Sequence, residues 1–492
     1  MSKVRWCIAL LFAAWIVAIL TYRGYMHAYD DRRWQMADRA RLGPRLGPLL
    51  GYATAPFQNE GPAALARSTL WAEFVQSRTP LPPGMHVSPS HADPAMFGLD
   101  LVRAKRDVPA LSAFRFGIDW ARVEPREGEF DEAAFALYAS LARRCADSGL
   151  RAVITLHHFV EPRWFSDLGS FAKKKNIPLF ARFASQCAAR LGSAAPIFVT
   201  FNEPFLYAMH GYGIGVRPPN LSSFPLCLKV ICNIISAHDA AYDVLRAWGP
   251  VTIAKNLMPI FPRTTMSPIE VVLAHELDGL LNRSYLEWVR TGTLSVRFGP
   301  MGRTVRTKNT VDILGVNHYT AASVRWTGFE VKLDLWGAYP SAEKRPMCAA
   351  KWRLDARALR STLNMIDTAL GASIPVLFTE LGAPQVDFDK HARVEYMRDC
   401  FSILEEYSSA TRNLCGTLAW TIVDNFEWEL GTAARFGHYT IARRKTALLR
   451  LFADFCGRVA RSCKQENHTK KRKARSVGCG NRAKFLGSLE LP

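Results

Sequence analysis

Short apolar runs alternate along this chain with longer segments that have helical spacing. Runs of strand length occur at residues 49–57, 114–123, 151–159, 196–204, 251–262, 311–320, 374–382 and 415–428. Between them, apolar positions recur every three or four residues over 130–150, 180–191, 226–248, 268–289, 355–370 and 393–407. This pattern predicts strands that alternate with amphipathic helices.

Strands that alternate with helices pair in parallel, and eight of them predict a closed (β/α)8 TIM barrel of the α/β class. An open doubly wound sheet is the alternative, but the chain has no glycine-rich phosphate loop to support it. A chain of 492 residues with 49% hydrophobic content can fill one large core. We therefore predict a single barrel domain over residues 49–463, between an N-terminal segment (1–48) and a C-terminal tail (464–492).

The N-terminal segment contains an uncharged run of 17 residues, 6–22, flanked by Lys3, Arg5 and Arg23. This run is longer than the ~7–15 residues of a signal-peptide core and just short of a ~20-residue membrane span. No small-x-small cleavage site follows it, so we predict an uncleaved hydrophobic anchor helix and a linker. A cleaved signal peptide, which would leave a secreted protein, and a buried helix are the alternatives. Basic residues on both flanks leave the membrane orientation open.

The formal charge of +20 is concentrated near the C-terminus. Residues 443–484 contain 14 Lys or Arg and only two acidic residues, and they include the run KKRKAR at 470–475. We predict that the basic tail, 464–492, is disordered and solvated. Contact with anionic lipid is the best functional alternative, ahead of a nuclear signal, and nucleic acid is not an expected partner.

Polar and aromatic residues stand where the predicted strands end. In a parallel barrel the active site forms at the carboxyl ends of the strands. Each residue alone has an ordinary structural explanation, such as an ion pair for Arg115 or a core position for His158. Their occurrence together at one rim favours a site. The residues are Gln58, Arg115, His158, Asn202, Glu203, Asn317, Tyr319, Glu380, Trp420, Glu427 and Trp428.

Glu203 and Glu380 end the fourth and seventh predicted strands. Paired carboxylates that flank a bond are what glycosidic hydrolysis requires, because one protonates the leaving oxygen while the other attacks or activates water. Neighbouring amides and indoles could bind sugar hydroxyls and sugar faces. No metal or other cofactor is expected, since His157 and His158 are adjacent on a strand and point to opposite faces. The eleven cysteines contain no CxxC pair.

The motifs TFNEP, FTELG and WTIVDNFEW, with FQNEG and TLHHF, resemble those of the family 1 glycoside hydrolases, the β-glucosidase family. The resemblance covers roughly residues 49–440. It implies a retaining β-glycosidase that acts on β-glucosides or β-galactosides through a covalent glycosyl-enzyme. Glu203 would match the acid/base and Glu380 the nucleophile, with carboxyls about 5–5.5 Å apart.

The resemblance also implies roles for the remaining residues. Asn202 would contact the sugar 2-hydroxyl, and Arg115 with Tyr319 would keep Glu380 ionised. The other predicted substrate-binding residues are Gln58, His158, Asn317, Trp420, Glu427 and Trp428. This chain departs from the family pattern at Leu381, where the family has Asn, at His318, where it has Tyr, and at Phe159, where it has Trp. The departures place the substrate assignment in doubt more than the catalysis.

Two other functions remain open. The N-terminal run, ATAP before Gln58, GIDWAR, PRW after the double histidine and WTI before DNFEW are similar to the membrane-anchored galactolipid galactosyltransferases of plants. A sugar hydroxyl would then replace water as acceptor. A catalytically silent sugar-binding protein is the third hypothesis, which the presence of both glutamates disfavours. The sequence indicates neither glucose nor galactose, and no oligomeric state.

Overall fold

The computed structural model describes residues 48–463, apart from 78–92, 195, 309, 329–330, 335–345, 387–388, 390 and 412. The predicted anchor at 6–22, the rest of the N-terminal segment up to residue 47 and the predicted tail at 464–492 lie outside the described residues.

Eight parallel strands close into one barrel in which every strand pairs with its neighbours in chain order and the first pairs with the last. This confirms the predicted (β/α)8 barrel, and the open-sheet alternative is wrong. The strands are β1 (Leu49–Ala53), β2 (Ala113–Gly117), β3 (Arg151–His157), β4 (Ile197–Asn202), β5 (Val251–Asn256), β6 (Leu314–His318), β7 (Val376–Leu381) and β8 (Leu414–Trp420).

Several barrel strands are shorter than the apolar runs that predicted them. Pro56 begins a short helix, Pro56–Asn59, three residues after β1 ends, because proline suits the first helical turn. After β2, Asp119 accepts a hydrogen bond from the Arg122 amide at 3.3 Å and caps the helix Trp120–Val123. Residues 421–428 form a buried loop after β8. A buried loop and a buried strand have the same apolar composition, so the runs could not separate them.

The six predicted helical segments are helical, and one of them is interrupted. A π-helical turn, Gly279–Arg283, divides the predicted segment 268–289 into the helices Pro268–Asp278 and Ser284–Thr291. The other five are Glu132–Asp147, Ile177–Leu191, Phe224–Leu245, Arg357–Leu370 and Ala392–Thr411. Further helices are Pro62–Leu65, Leu70–Gln76, Pro94–Asp107, Arg163–Asp167, Pro204–Ala208 and residues 447–463.

Two small sheets lie outside the barrel. Thr293–Phe298 and Met301–Arg306 form a hairpin. Ile260–Pro262, Ala322–Trp326 and Val331–Asp334 form a three-stranded sheet beyond the ends of β5 and β6. The predicted run 251–262 therefore contains two strands of different sheets.

The core has two layers, as strand alternation in a barrel requires. Small and branched side chains such as Ala53, Val153, Val199 and Leu418 fill the barrel interior, while larger ones pack between the strands and the surrounding helices. Within the described part of the chain, one helix, Phe224–Leu245, is long and apolar enough to cross a membrane by length and composition. It packs against Ile177–Leu191 with most of its apolar residues buried, as core helices of this kind do.

Candidate active site

The two predicted catalytic glutamates lie buried at the carboxyl ends of β4 and β7. Glu203 follows the last residue of β4 and has a φ of 46°, in the left-handed region that non-glycine residues seldom adopt. Glu380 lies inside β7 and is 3% exposed. Both strands shift register against a neighbour just before the glutamate. Such irregularities re-aim side chains beside active sites.

Glu380 accepts two strong hydrogen bonds. The Arg115 guanidinium donates through Nη1 to Oε1 at 2.7 Å, and the Tyr319 hydroxyl donates to Oε2 at 2.5 Å. Arg115 is fully buried and is itself oriented by Thr155 Oγ1 at 2.9 Å and Asn202 Oδ1 at 2.8 Å. The guanidinium therefore has one available geometry, with its charge against Glu380.

Two asparagine side chains connect Glu380 to Glu203. Asn317 Nδ2 donates to Glu203 Oε1 at 2.9 Å and to Asn202 Oδ1 at 3.0 Å. Asn202 Oδ1 is the same atom that accepts from Arg115. The Thr379 hydroxyl donates to Asn317 Oδ1 at 2.7 Å and so fixes the orientation of that amide. One hydrogen-bonded network thus holds both carboxylates.

The two carboxyls differ in how readily they lose a proton. Burial raises the pKa of Glu380 to about 7, and the charge of Arg115 and the hydrogen bond from Tyr319 oppose the shift. Burial also raises the pKa of Glu203, where the hydrogen bond from Asn317 is the first of the opposing effects. A guanidinium and a phenol stabilise the Glu380 carboxylate, whereas an amide stabilises that of Glu203. By direct hydrogen bonding, the site favours the ionised form of Glu380 more strongly than that of Glu203.

A third buried carboxyl group of the site, Glu427, lies in the loop after β8. Trp420 Nε1 donates to its Oε1 at 2.8 Å and Gln58 Nε2 donates to its Oε2 at 3.2 Å. Burial raises the pKa of Glu427 to about 8, and the hydrogen bond from Trp420 opposes the shift. Two side chains thus orient a carboxyl group that can bind sugar hydroxyls.

His158 contacts both Trp420, which binds Glu427, and Asn202, which belongs to the network of Glu203 and Glu380. Its Nε2 lies 3.1 Å from Asn202 Nδ2 and accepts the hydrogen bond, since the amide nitrogen can only donate. Burial lowers the pKa of His158 well below its usual value, so the ring is neutral. The imidazole stacks with Trp420 at 6.2 Å and with Trp428 at 6.1 Å between ring centroids. The His158 ring therefore lies roughly parallel to both indoles.

The structure brings every residue of the predicted site into this connected set of contacts, but not all at strand ends. Arg115 is the central residue of β2, and Gln58 belongs to the helix that follows β1. His157, the neighbour of His158, faces a different environment: its Nε2 lies 3.3 Å from Glu161 and its ring packs on Phe171.

Lys255 was not among the predicted site residues; it is 2% exposed and lies on β5. Its Nζ donates to the Asn256 carbonyl and lies 4.9 Å from the ring centroid of Phe205 and 5.8 Å from that of Tyr285. Burial lowers the pKa of Lys255 to about 7, and the nearby charge of Glu203 opposes the shift. A lysine within the buried strand VTIAKN was the available signal, because buried lysines are rare.

A bridge between two loops was also missed. Arg217, in the loop after the helix Pro204–Ala208, donates to both oxygens of Glu429 at 2.5 and 3.1 Å. The guanidinium lies 5.5 Å from the ring centroid of Phe159, and its charge reaches Glu203 and Glu427. This ion pair connects the β4 and β8 loops beside the site, and neither residue carried a sequence signal.

The three departures from the family pattern are not equivalent in the structure. His318 is fully buried, and its Nδ1 lies 3.0 Å from Thr362 Oγ1 and 3.4 Å from the Leu257 carbonyl. Leu381 is 1% exposed and belongs to the core outside the barrel. Phe159 packs its ring edge-on to Trp428, a predicted substrate-binding residue, at 5.2 Å between ring centroids.

Known proteins resemble this chain in sequence and in fold. The model of glycosyl hydrolase family 1 matches residues 49–455. Beta-glucosidase 40 of Arabidopsis thaliana is 27% identical, over 84% of this chain and 91% of that protein. A beta-glycosidase from Pyrococcus horikoshii superposes with a TM-score of 0.72 at 26% identity, over 84% and 95% of the two chains. The family 1 b-glucosidase from Thermotoga maritima, at 18% identity and a TM-score of 0.70 over 86% and 99%, shows the shared fold.

Proposed function

The chain belongs to glycosyl hydrolase family 1, and from this membership we propose that it is a retaining β-glycosidase with Glu380 as nucleophile and Glu203 as acid/base. The family supports a β-glucosidase-type hydrolase. The assignment of the two roles rests on one observation, the unequal hydrogen bonding of the two carboxyls. Glu380 binds a guanidinium and a phenol, while Glu203 binds an amide.

In the first step, the Glu380 carboxylate attacks the anomeric carbon of a β-glycoside and forms an ester bond to it. The glycosidic carbon–oxygen bond breaks, and Glu203 transfers its proton to the leaving oxygen. Arg115 and Tyr319 hold the nucleophile in its ionised form and aim it before substrate binds. Asn202, fixed between Arg115 and Asn317, is placed to bind the hydroxyl beside the reacting carbon.

In the second step, Glu203 takes a proton from water, whose oxygen attacks the anomeric carbon and releases Glu380. Esterification removes the negative charge of Glu380 and with it the electrostatic effect that raises the pKa of its neighbour. The pKa of Glu203 therefore falls during the first step, which converts the acid into the base that the second step needs.

The sugar itself would lie against the wall formed by Gln58, Glu427, Trp420, Trp428 and His158. Glu427 and Gln58 supply acceptors and donors for hydroxyls remote from the reacting carbon, and the aromatic rings cover an apolar sugar face. Because Glu427 and Gln58 can bind either epimer at the sugar 4-hydroxyl, β-glucosides and β-galactosides are both proposed substrates.

Turnover of aryl β-glucosides and β-galactosides tests this proposal directly. We expect the parent protein to release the aryl alcohol, Glu380→Gly to release none, and added azide to restore release with a glycosyl azide as product. Glu127→Gly, on the surface, serves as the matched control and should behave like the parent. A parent without turnover and a variant without azide rescue would instead support the silent sugar-binding alternative.

We propose galactolipid galactosyl transfer as the second candidate, on one specific observation. The loop that carries Arg217 also exposes Ile214 (52%), Val216 (49%) and Leu221 (44%), so an apolar molecule could rest beside the site. In that reaction a sugar hydroxyl replaces water in the second step. Mass spectrometry of products from a galactolipid separates the two reactions, since hydrolysis gives free galactose and transfer gives an oligogalactolipid.

We also propose that residues 6–22 anchor the protein in a membrane. The support is the length and lack of charge of this run. Full-length protein in isolated membranes should resist an alkaline carbonate wash, whereas a chain that starts at Gly24 should be released. N-terminal sequencing of the full-length product would reveal cleavage if the run were a signal peptide.

A further inference from the structure

A cleft of about 300 Å³ lies beside the candidate active site and shares no residue with it. Residues 385–386, which follow β7, form one side together with Arg435. The first turn of the helix Ala392–Thr411 and the start of the helix 447–463 form the other sides. The glycosidase reaction proposed above uses none of these residues.

Arg393 is the unusual member of this cleft. The residue is 8% exposed, and its Nη2 donates to the Phe436 carbonyl at 2.5 Å. Its Nε has no hydrogen-bond partner among the residues that the structure describes. A guanidinium has five N–H donors, and a buried donor without a partner destabilises a protein by about 1–3 kcal/mol. Arg393 therefore destabilises the protein unless a ligand accepts hydrogen bonds from its guanidinium.

The charged groups near Arg393 act on its guanidinium at a distance, and no ion pair joins it to another described residue. Burial lowers the pKa of Arg393 to about 10; Asp424 attracts the guanidinium and Arg435 repels it. Asp424 directs its Oδ1 to the Gly437 amide at 2.7 Å. Asp389 precedes the helix Ala392–Thr411 and caps it, since its Oδ1 accepts from the amides of His391 and Ala392 at 2.9 and 3.0 Å. Two arginines thus line the cleft, and one carboxylate oxygen each of Asp424 and Asp389 accepts from backbone amides.

The helix 447–463 adds donors at the same place. Thr446 precedes the helix, and its hydroxyl donates to the carbonyls of His438 and Gly437 at 3.0 and 3.3 Å. The amides of Ala447 and Leu448 donate to no backbone carbonyl in the described part of the chain. Free amides at a helix N-terminus carry partial positive charge and bind anions.

We propose that this cleft binds a phosphate or sulfate group through Arg393, Arg435 and the first amides of the helix 447–463. Two arginines and a helix N-terminus are the donor set that tetrahedral oxyanions prefer. Val386 and Val394 supply apolar walls in the same cleft, which suits a monoester whose organic group lies beside its phosphate.

The site lies close to the catalytic network. Phe436, whose carbonyl accepts from Arg393, packs its ring against Tyr319 at 6.0 Å, and Tyr319 donates to Glu380. Anion binding is nevertheless a separate property, and its test requires no glycoside turnover.

Isothermal titration of the full chain at pH 7 with inorganic phosphate, sulfate and phenyl phosphate tests the proposal. We expect saturable binding at one site, with phenyl phosphate binding more tightly because of the apolar walls. Ala447→Pro removes one amide donor at the first helical position, where proline is well tolerated, and should weaken phosphate binding roughly tenfold. Arg435→Gln should weaken it by a similar factor.

Arg444→Gln provides the matched control, since Arg444 is exposed and does not line the cleft; it should leave binding unchanged. Arg393→Lys completes the series, with circular dichroism to verify folding. If that variant does not fold, Ala447→Pro and Arg435→Gln still decide the question. Absence of saturable binding, or equal affinity in the parent and both of these variants, would overturn the proposal.

Discussion

The surroundings of Glu380 and Glu203 make the clearest contrast in this molecule. Both side chains are buried, at 3% and 7% exposure, and both belong to the same network. Glu380 lies between a guanidinium and a phenol on the β2, β6 and β7 side of the barrel. Glu203 lies on the β4 and β5 side, where an amide binds it and the charge of Lys255, whose amine lies against two aromatic rings, acts on it. Similar burial with unequal donors gives one residue type two different surroundings, and the hydrogen bonds to Glu380 favour its ionised form more strongly.

The largest effect should follow from removal of the Glu380 carboxylate, which the Arg115 guanidinium contacts. Glu380→Gln keeps the shape of the side chain but cannot form the glycosyl ester, so kcat should fall by about 10⁵-fold. Steady-state kinetics with an aryl β-glucoside measures this loss. Residual activity within tenfold of the parent would mean that another group is the nucleophile.

Removal of the Glu203 carboxyl should reduce activity less than removal of the Glu380 carboxylate. The size of this loss should depend on the leaving group. For Glu203→Gln, kcat/KM on substrates with poor leaving groups should fall by about 10²–10⁴-fold. With a dinitrophenyl leaving group, which departs without protonation, kcat/KM should stay near that of the parent. An equal loss on both kinds of substrate would contradict the acid/base assignment.

The hydrogen bond from Tyr319 should set the acid limb of the pH profile. Glu380 must be ionised to attack, and its pKa of about 7 predicts loss of activity as the pH falls through that value. Because the Tyr319 hydroxyl lowers this pKa, Tyr319→Phe should move the acid limb of kcat/KM upward by about one pH unit.

Tyr242→Phe is the control for that change, since the Tyr242 hydroxyl donates to Asp312, away from the site. Its pH profile should match that of the parent. An unchanged or lowered acid limb in Tyr319→Phe would show that the phenol does not stabilise the ionised nucleophile.

The smallest effect should come from Lys255, on the side of Glu203. The charged groups that act on Glu203 are Arg217, Lys255 and Arg115, with Glu380 coupled to it through their mutual repulsion. Those that act on Lys255 are Glu203 and Asp278. An ammonium lowers the pKa of Glu203, so Lys255→Met should move the alkaline limb of kcat/KM upward.

The shift should be about half a pH unit or less, since Lys255, with a pKa of about 7, has already lost most of its charge where that limb lies. The pH dependence of kcat/KM on a substrate with a poor leaving group measures it. Movement of the limb to lower pH would contradict an electrostatic role for Lys255.

Much of the barrel was predictable because its signals are local. Apolar runs of strand length alternate with helical spacing, and the order of elements then requires parallel pairing. The ends of these elements were less predictable. Pro56 and the capping residue Asp119 end the apolar strands β1 and β2 with short helices, which an apolar pattern cannot distinguish from continued strand.

Residue type and position alone placed Glu203 and Glu380 at strand ends and predicted that they face each other across one barrel mouth. The tertiary structure decided which donors each carboxyl receives. Arg115 meets Glu380 across 265 residues of sequence, and Lys255 approaches Glu203 only because β5 pairs with β4. Local composition selects strands and helices, but a pKa depends on distances between chain segments, and these are set only when the barrel closes.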